Sequence, residues 1–129
     1  MGNTNQSARF VKLMVNNQTL NVELAQTEKE ITQGLSGKSG IAENQGMLFV
    51  FDKPGNYQFW MKKMNFNLDA VFIKDNKIVD LVENIPYPKK GEEPQTFGAK
   101  EEFDKVLEIN SGTIRKMGIK IGDTVGIGQ

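Results

Sequence analysis

Apolar and polar positions alternate with a period of two along much of this chain. Val11, Leu13 and Val15 alternate with Lys12 and Met14, and Leu20, Val22 and Leu24 with Asn21 and Glu23. That pattern on both sides of Asn16-Asn17-Gln18 predicts an antiparallel hairpin, residues 9–15 with 19–25, with one wetter face. Residues 47–51 are continuously apolar and too few for a helix, so they predict a buried strand. Residues 57–61 and 68–73 carry large apolar side chains at both parities, which predicts a central hairpin covered on both faces. Residues 77–83, 106–109 and a strand-turn-strand within 119–125 complete the strands.

The one helix expected over more than a turn starts at Thr27. Thr27 with Glu30 three residues on is a capping-box pattern, Ile31 and Leu35 lie one turn apart, and Gly34 and Gly37 stop the run. A single further turn is expected after Ser111, ending at Gly118. Residues 36–46 and 52–56 read as loop and turn. Pro86, Pro88, Gly91 and Pro94 make 85–95 an irregular excursion. The expected fold is α+β and mostly antiparallel β: a rolled sheet or small barrel of about seven or eight short strands, with one helix over one end. Residues 9–129 read as a single domain, and the polar residues 1–8 as a disordered tail of the kind left when an export signal is trimmed.

Composition narrows the function classes. Lys plus Arg and Asp plus Glu number 16 each among 129 residues, so no global field gathers nucleic acid or an anionic membrane. There is no cysteine and no histidine. Disulfides, thiolate and imidazole metal sites, and Cys-His or Ser-His nucleophiles are therefore absent. No acidic run has the spacing of a calcium loop, so no metal or cofactor is expected. No apolar run reaches the roughly 18 residues of a membrane span.

The strongest candidate chemistry sits in residues 59–73, which hold the only tryptophan. If paired positions in the central hairpin sum to an odd number, Trp60, Lys62 and Asp69 share one face with Val71 and Ile73. Lys62 and Asp69 could then pair beside the indole and hold a small polar ligand or a partner peptide. On the even register Asp69 leaves the group and joins Phe59 and Met61; on either register the simpler reading is that Asp69 caps the loop 63–67 while Trp60 is core. Glu30 and Lys38, from the helix and the loop after it, are further candidate ligand contacts, although the capping box already gives Glu30 a structural role. Gly34-Leu35-Ser36-Gly37-Lys38-Ser39 is no phosphate loop, because Thr32 stands where its first glycine belongs and the segment ends a helix. Glu108, between Leu107 and Ile109, is expected to alternate outward into solvent. Asp123 reads as a turn residue.

Six blocks in order carry a family resemblance: Thr27, Glu30, Gly34 and Leu35; Gly46-Met47-Leu48-Phe49 with Phe51; Phe59-Trp60-Met61-Lys62; Leu68-Asp69 with Phe72-Ile73; Val106-Leu107-Glu108; and Gly118-Ile119-Lys120 with Gly122-Asp123. Together they resemble the bacterial and archaeal domain-of-unknown-function family 192, over about residues 9–127. The resemblance implies a compact β-rich domain, often exported or lipid-anchored, with no established activity, and so an extracytoplasmic location. Ile31 and Lys38 replace the family's usual arginines, Ser36 a methionine, Lys63-Met64 an Asn-Thr pair, and Asn67 a proline. Trp60, Lys62 and Asp69 remain.

The expected function is therefore a small binding or accessory domain with its site at Trp60, Lys62 and Asp69. A hydrolase or lyase using Asp69 as base is the alternative, opposed by Lys62, which would lower the carboxylate's pKa. The C-terminal Gly-Ile-Lys-x-Gly-Asp-x-Val pattern is similar to the turn of swapped-hairpin DNA-binding barrels, a third reading that the charge balance opposes.

Overall fold

The computed structural model describes residues 9–128, and the tail expected at 1–8 lies outside them. The first hairpin forms as its alternation predicts: β1 (Phe10–Val15) pairs antiparallel with β2 (Gln18–Ala25). Asn16 and Asn17 turn the chain at φ of 54° and 60°. Two left-handed residues match a hairpin's twist, and asparagine tolerates that region better than most side chains. α1 (Glu28–Gln33) follows. Thr27 Oγ1 accepts from the Glu30 N–H at 3.1 Å, and the Glu30 carboxylate accepts from the Thr27 N–H at 3.0 Å.

β3 (Gln45–Gly55) then returns parallel to β2. The remaining elements are β4 (Phe59–Trp60), β5 (Leu68–Lys74), β6 (Lys77–Ile85), β7 (Thr96–Phe97), β8 (Phe103–Asn110), α2 (Thr113–Met117) and β9 (Gly126–Gly128). Seven strands form one sheet in the order β6-β5-β8-β3-β2-β1-β9, and β4 and β7 form a separate ribbon. The large sheet rolls until its edges touch at one end. Lys77, opening β6, bridges Thr124, and the Val125 N–H donates to Asn76 O at 2.8 Å. The α+β rolled sheet is thus what forms, with a second short helix. Residues 119–125 hold a turn rather than two strands, and there the Asp123 carboxylate accepts from the Lys120 N–H at 2.8 Å.

Two apolar clusters lie on opposite faces of the sheet. Inside the roll, Leu13, Val22, Leu48, Val71, Ile73 and Leu107 are sealed, and Ile114 and Met117 of α2 close one end. On the outer face, Phe49, Phe72, Phe103 and Val106 are covered by Leu35, Ile31 of α1, and Phe59 and Phe97 of the ribbon. Over residues 46–49 of β3, 68–73 of β5 and 106–109 of β8 the strands consequently have no wet face.

The central hairpin does not form. β5 is flanked by β6 and β8, so both its edges are taken, and β4 pairs instead with β7, Phe59 opposite Phe97 and Trp60 opposite Thr96. Residues 61–67 become a loop held by the Met61 N–H to Gln95 O at 2.9 Å. Trp60, Lys62 and Asp69 therefore do not share a sheet face.

Asp69 instead ties α2 to the sheet. It points to the inner face with Val71, fully buried, opposite Ile109 of β8. One carboxylate oxygen accepts from the Gly112 and Ile114 N–H groups at 3.0 Å each, and the other from the Asn84 N–H at 2.8 Å. It caps neither the loop 63–67 nor its own turn. Ser111 does not cap α2 either, because the helix begins from Gly112 at φ 94° with no side-chain cap on its own segment. At the other end of α2, Asn16 and Gln18 donate to Met117 O, and Asn16 also to Gly118 O. We expect Asp69→Ala to cost about 3 kcal/mol or more, since it strands three backbone donors. Urea denaturation reads this directly, and a loss under about 1 kcal/mol would show the tie to be unimportant.

Candidate functional site

A cavity of about 350 Å³ opens between α1, the β4 ribbon and the outer face of β3 and β8. Its walls are aromatic because the ribbon is pressed onto that face. Phe51 stacks on Tyr57 with ring centroids 4.1 Å apart, Phe59 stacks on Phe97 at 5.5 Å, and Phe49 meets Phe59 edge-on at 5.9 Å. Met61, Met64 and Leu68 add flexible apolar surface, and Thr32, Gln33, Ser36 and Gln58 bring neutral polar groups.

Glu108 is the exception in this lining. It is only 6% exposed and stands between Met47 of β3 and Ala70 of β5, on the same face as Val106. The expectation that it would be solvated fails because the outer face at β8 is covered. Among the described residues its carboxyl has no hydrogen-bond partner, while every described side-chain polar atom sealed from solvent has one. The Glu108 oxygens therefore open on the cavity. Burial without a compensating donor or cation pushes its pKa from 4.5 up to about 8.

The other predicted site residues divide among three places. Trp60 lines the aromatic cavity and is 56% exposed, with the Lys62 ammonium 4.9 Å from its ring centroid. Glu30 and Lys38 line a second cleft, of about 700 Å³, on the other side of α1. Glu30 is engaged in its capping box, where the N–H groups of Gln26 and then Thr27 hold its pKa below the usual value. Asp69 lies within the roll. Both clefts share Gln33, Gly34 and Ser36, and the loop after α1 is fastened to the loop after β4. The Gly37 N–H donates to Lys63 O at 2.9 Å, Ser36 Oγ to Lys62 O at 3.2 Å, and Asn65 Nδ2 to Lys38 O at 3.0 Å. Sequence reasoning brought Trp60 to this place and missed Glu108. Parity carried no warning: Asp104 and Asn110 share it with Glu108, and Val106 alone among these β8 positions is apolar.

A rolled, mostly antiparallel sheet with an aromatic cavity on its outer face defines the class of molecule. The chain belongs to domain-of-unknown-function family 192 (DUF192, described as uncharacterised ACR), whose model matches residues 11–127. None of the curated proteins compared with it matches. Among solved structures it is similar to a candidate transcription regulator from Sinorhizobium meliloti 1021, at 29% identity and a TM-score of 0.84, over 95% of this chain and 97% of that one. It is also similar to a protein of unknown function from Novosphingobium aromaticivorans DSM 12444, at 30% identity and a TM-score of 0.81, over 91% of this chain and 84% of that one.

Two outcomes follow from the site's geometry. Trp60→Ala should cost no more than about 1 kcal/mol, against about 3–5 for a core aromatic, as equilibrium denaturation will measure. Glu108 should make stability fall with pH. The unfolded chain releases this proton near 4.5 and the fold only near 8, so stability declines between those values and is level on either side. Glu108→Gln removes the decline: it should raise the melting temperature at about pH 8, by the equivalent of roughly 3–5 kcal/mol, and change it little near pH 4. A parallel pH profile in wild type and variant would refute this assignment.

Proposed function

We propose that this chain is a small-ligand-binding domain, residues 9–129 acting as one unit, with the aromatic cavity as its site. The observation that carries the reading is the unpartnered Glu108 carboxyl opening on that cavity, amid rings and neutral polar groups. A buried carboxyl without a partner burdens the fold, and a ligand that satisfies it recovers that penalty on binding. Trp60 and Lys62 stand at the rim. Glu30 and Lys38 lie in the adjacent cleft, where they suit the far part of an extended ligand, and Asp69 supports the framework.

A second reading, an enzyme, gains support from one observation. A carboxyl held protonated at neutral pH suits a general acid. Glu108 fits that role better than Asp69, whose oxygens both accept backbone hydrogen bonds. It ranks below binding because Ser36 and Tyr57, two of the three hydroxyls lining the cavity, already donate to Lys62 O and Lys53 O, and among the described residues no lysine lines it. The DNA-binding reading draws on the likeness to a candidate regulator. It is opposed by the balanced charge and by helices of six and five residues, too short to serve as recognition helices.

Screening amines, amides, sugars and nucleosides by Trp60 emission and melting temperature tests the binding reading. Binders should lose at least about tenfold in affinity in Thr32→Phe, which places a ring over the mouth from an exposed position of α1. Binders indifferent to that substitution would move the site elsewhere.

A further inference from the structure

We infer that the cavity takes a small organic ammonium ion, its charge set against the Glu108 carboxylate and its alkyl groups against Phe49, Phe59 and Trp60. This rests on the reading of the cavity as a ligand site and names the chemistry of its occupant. Among the described residues, Glu108 and Tyr57 are the only ionisable side chains in its lining. The Tyr57 hydroxyl is committed, donating to Lys53 O at 2.6 Å. Among the described residues no lysine or arginine lines the cavity, and the rim cation Lys62 lies outside the lining, so an anionic ligand within would sit beside the Glu108 carboxyl with no cation in the lining to receive it.

The charged groups of the surrounding elements are turned elsewhere. On α1, Lys29 and Glu30 line the cleft on its other side, and Glu28 lines a third one with Asp52 and Lys53 of β3. On β5, Asp69 faces inward to α2. The β4 ribbon's own two strands carry no charge. Lys62, beyond β4, lies over the indole, and so this molecule already displays the attraction of an ammonium for that ring. What faces the space is ring surface and one carboxyl, with the Lys62 ammonium outside the lining, in a volume sized for a few heavy atoms and their shell. That is the complement of an alkylated ammonium.

A cation needs Glu108 ionised, whereas a neutral hydrogen-bonding ligand is served by the protonated acid. The two therefore differ in pH dependence. Tetramethylammonium chloride, whose charge does not titrate, is the probe; tert-butanol is its neutral counterpart, and sodium chloride matches the ionic strength. Trp60 emission and melting temperature should show tetramethylammonium binding roughly tenfold tighter at about pH 9 than at about pH 7, with Glu108→Gln removing both the binding and its pH dependence. Thr32→Phe, at an exposed position, should also abolish it and provides a variant whose folding does not depend on Glu108. Binding of tetramethylammonium that is indifferent to pH and to Glu108→Gln, or no tighter at about pH 9 than that of tert-butanol, overturns the ammonium inference. If tetramethylammonium fails while another compound binds in a manner sensitive to Thr32→Phe, the inference falls and the cavity stands as a site. If no compound binds so, both fall.

Discussion

Both faces of β5 and of the adjoining middle stretches of β3 and β8 are covered with apolar side chains, and this double burial governs the molecule. The inner face is filled by the rolled sheet itself and closed at one end by α2. The outer face has no second sheet to meet it, so it is covered piecemeal by α1, the β4 ribbon and two fastened loops. Piecemeal covers fit less closely than sheet on sheet, and the gap they leave is the aromatic cavity. Glu108 lies at the bottom of that gap because its strand position has no wet side to which it could turn.

Two acids on adjacent strands show how one constraint gives opposite outcomes. Asp69 and Glu108 project from opposite faces of the same sheet, and both are buried. Asp69 meets two backbone donors at the start of α2 and a third on β6, and becomes a structural tie. Glu108 meets none and holds its proton to about pH 8. A residue that weakens the fold without helping to build it is the kind found where function opposes stability.

Local rules were readable in the chain and long-range pairings were not. Asn16-Asn17 and the Thr27–Glu30 box announce their structures because the interacting groups are within four residues of one another. The partner of β4 is β7, some 36 residues on, across a proline-rich excursion. Nothing in the alternation of residues 57–61 distinguishes that partner from β5. Period-two patterning likewise assigned Glu108 to the face opposite Leu107 and Ile109, which is correct, but it could not say that this face is covered. The candidate site was half visible for the same reason: Trp60 stands out by composition, whereas Glu108 acquires its character only from what packs over it.

The joining of β9 to β1 bears on how such a chain behaves in a crowded solution. Three residues, Gly126–Gly128, hydrogen-bond along an N-terminal strand that displays Phe10 and Met14 outward. Without that short cover, β1 would offer a bare ribbon of amides and greasy side chains to any passing strand, including its counterpart in a neighbouring copy. The far edge is guarded otherwise, by register breaks along β6 and a left-handed Asn84 near its end. Three residues thus occupy the hydrogen-bonding edge of β1 from Lys12 to Met14 that would otherwise stand open.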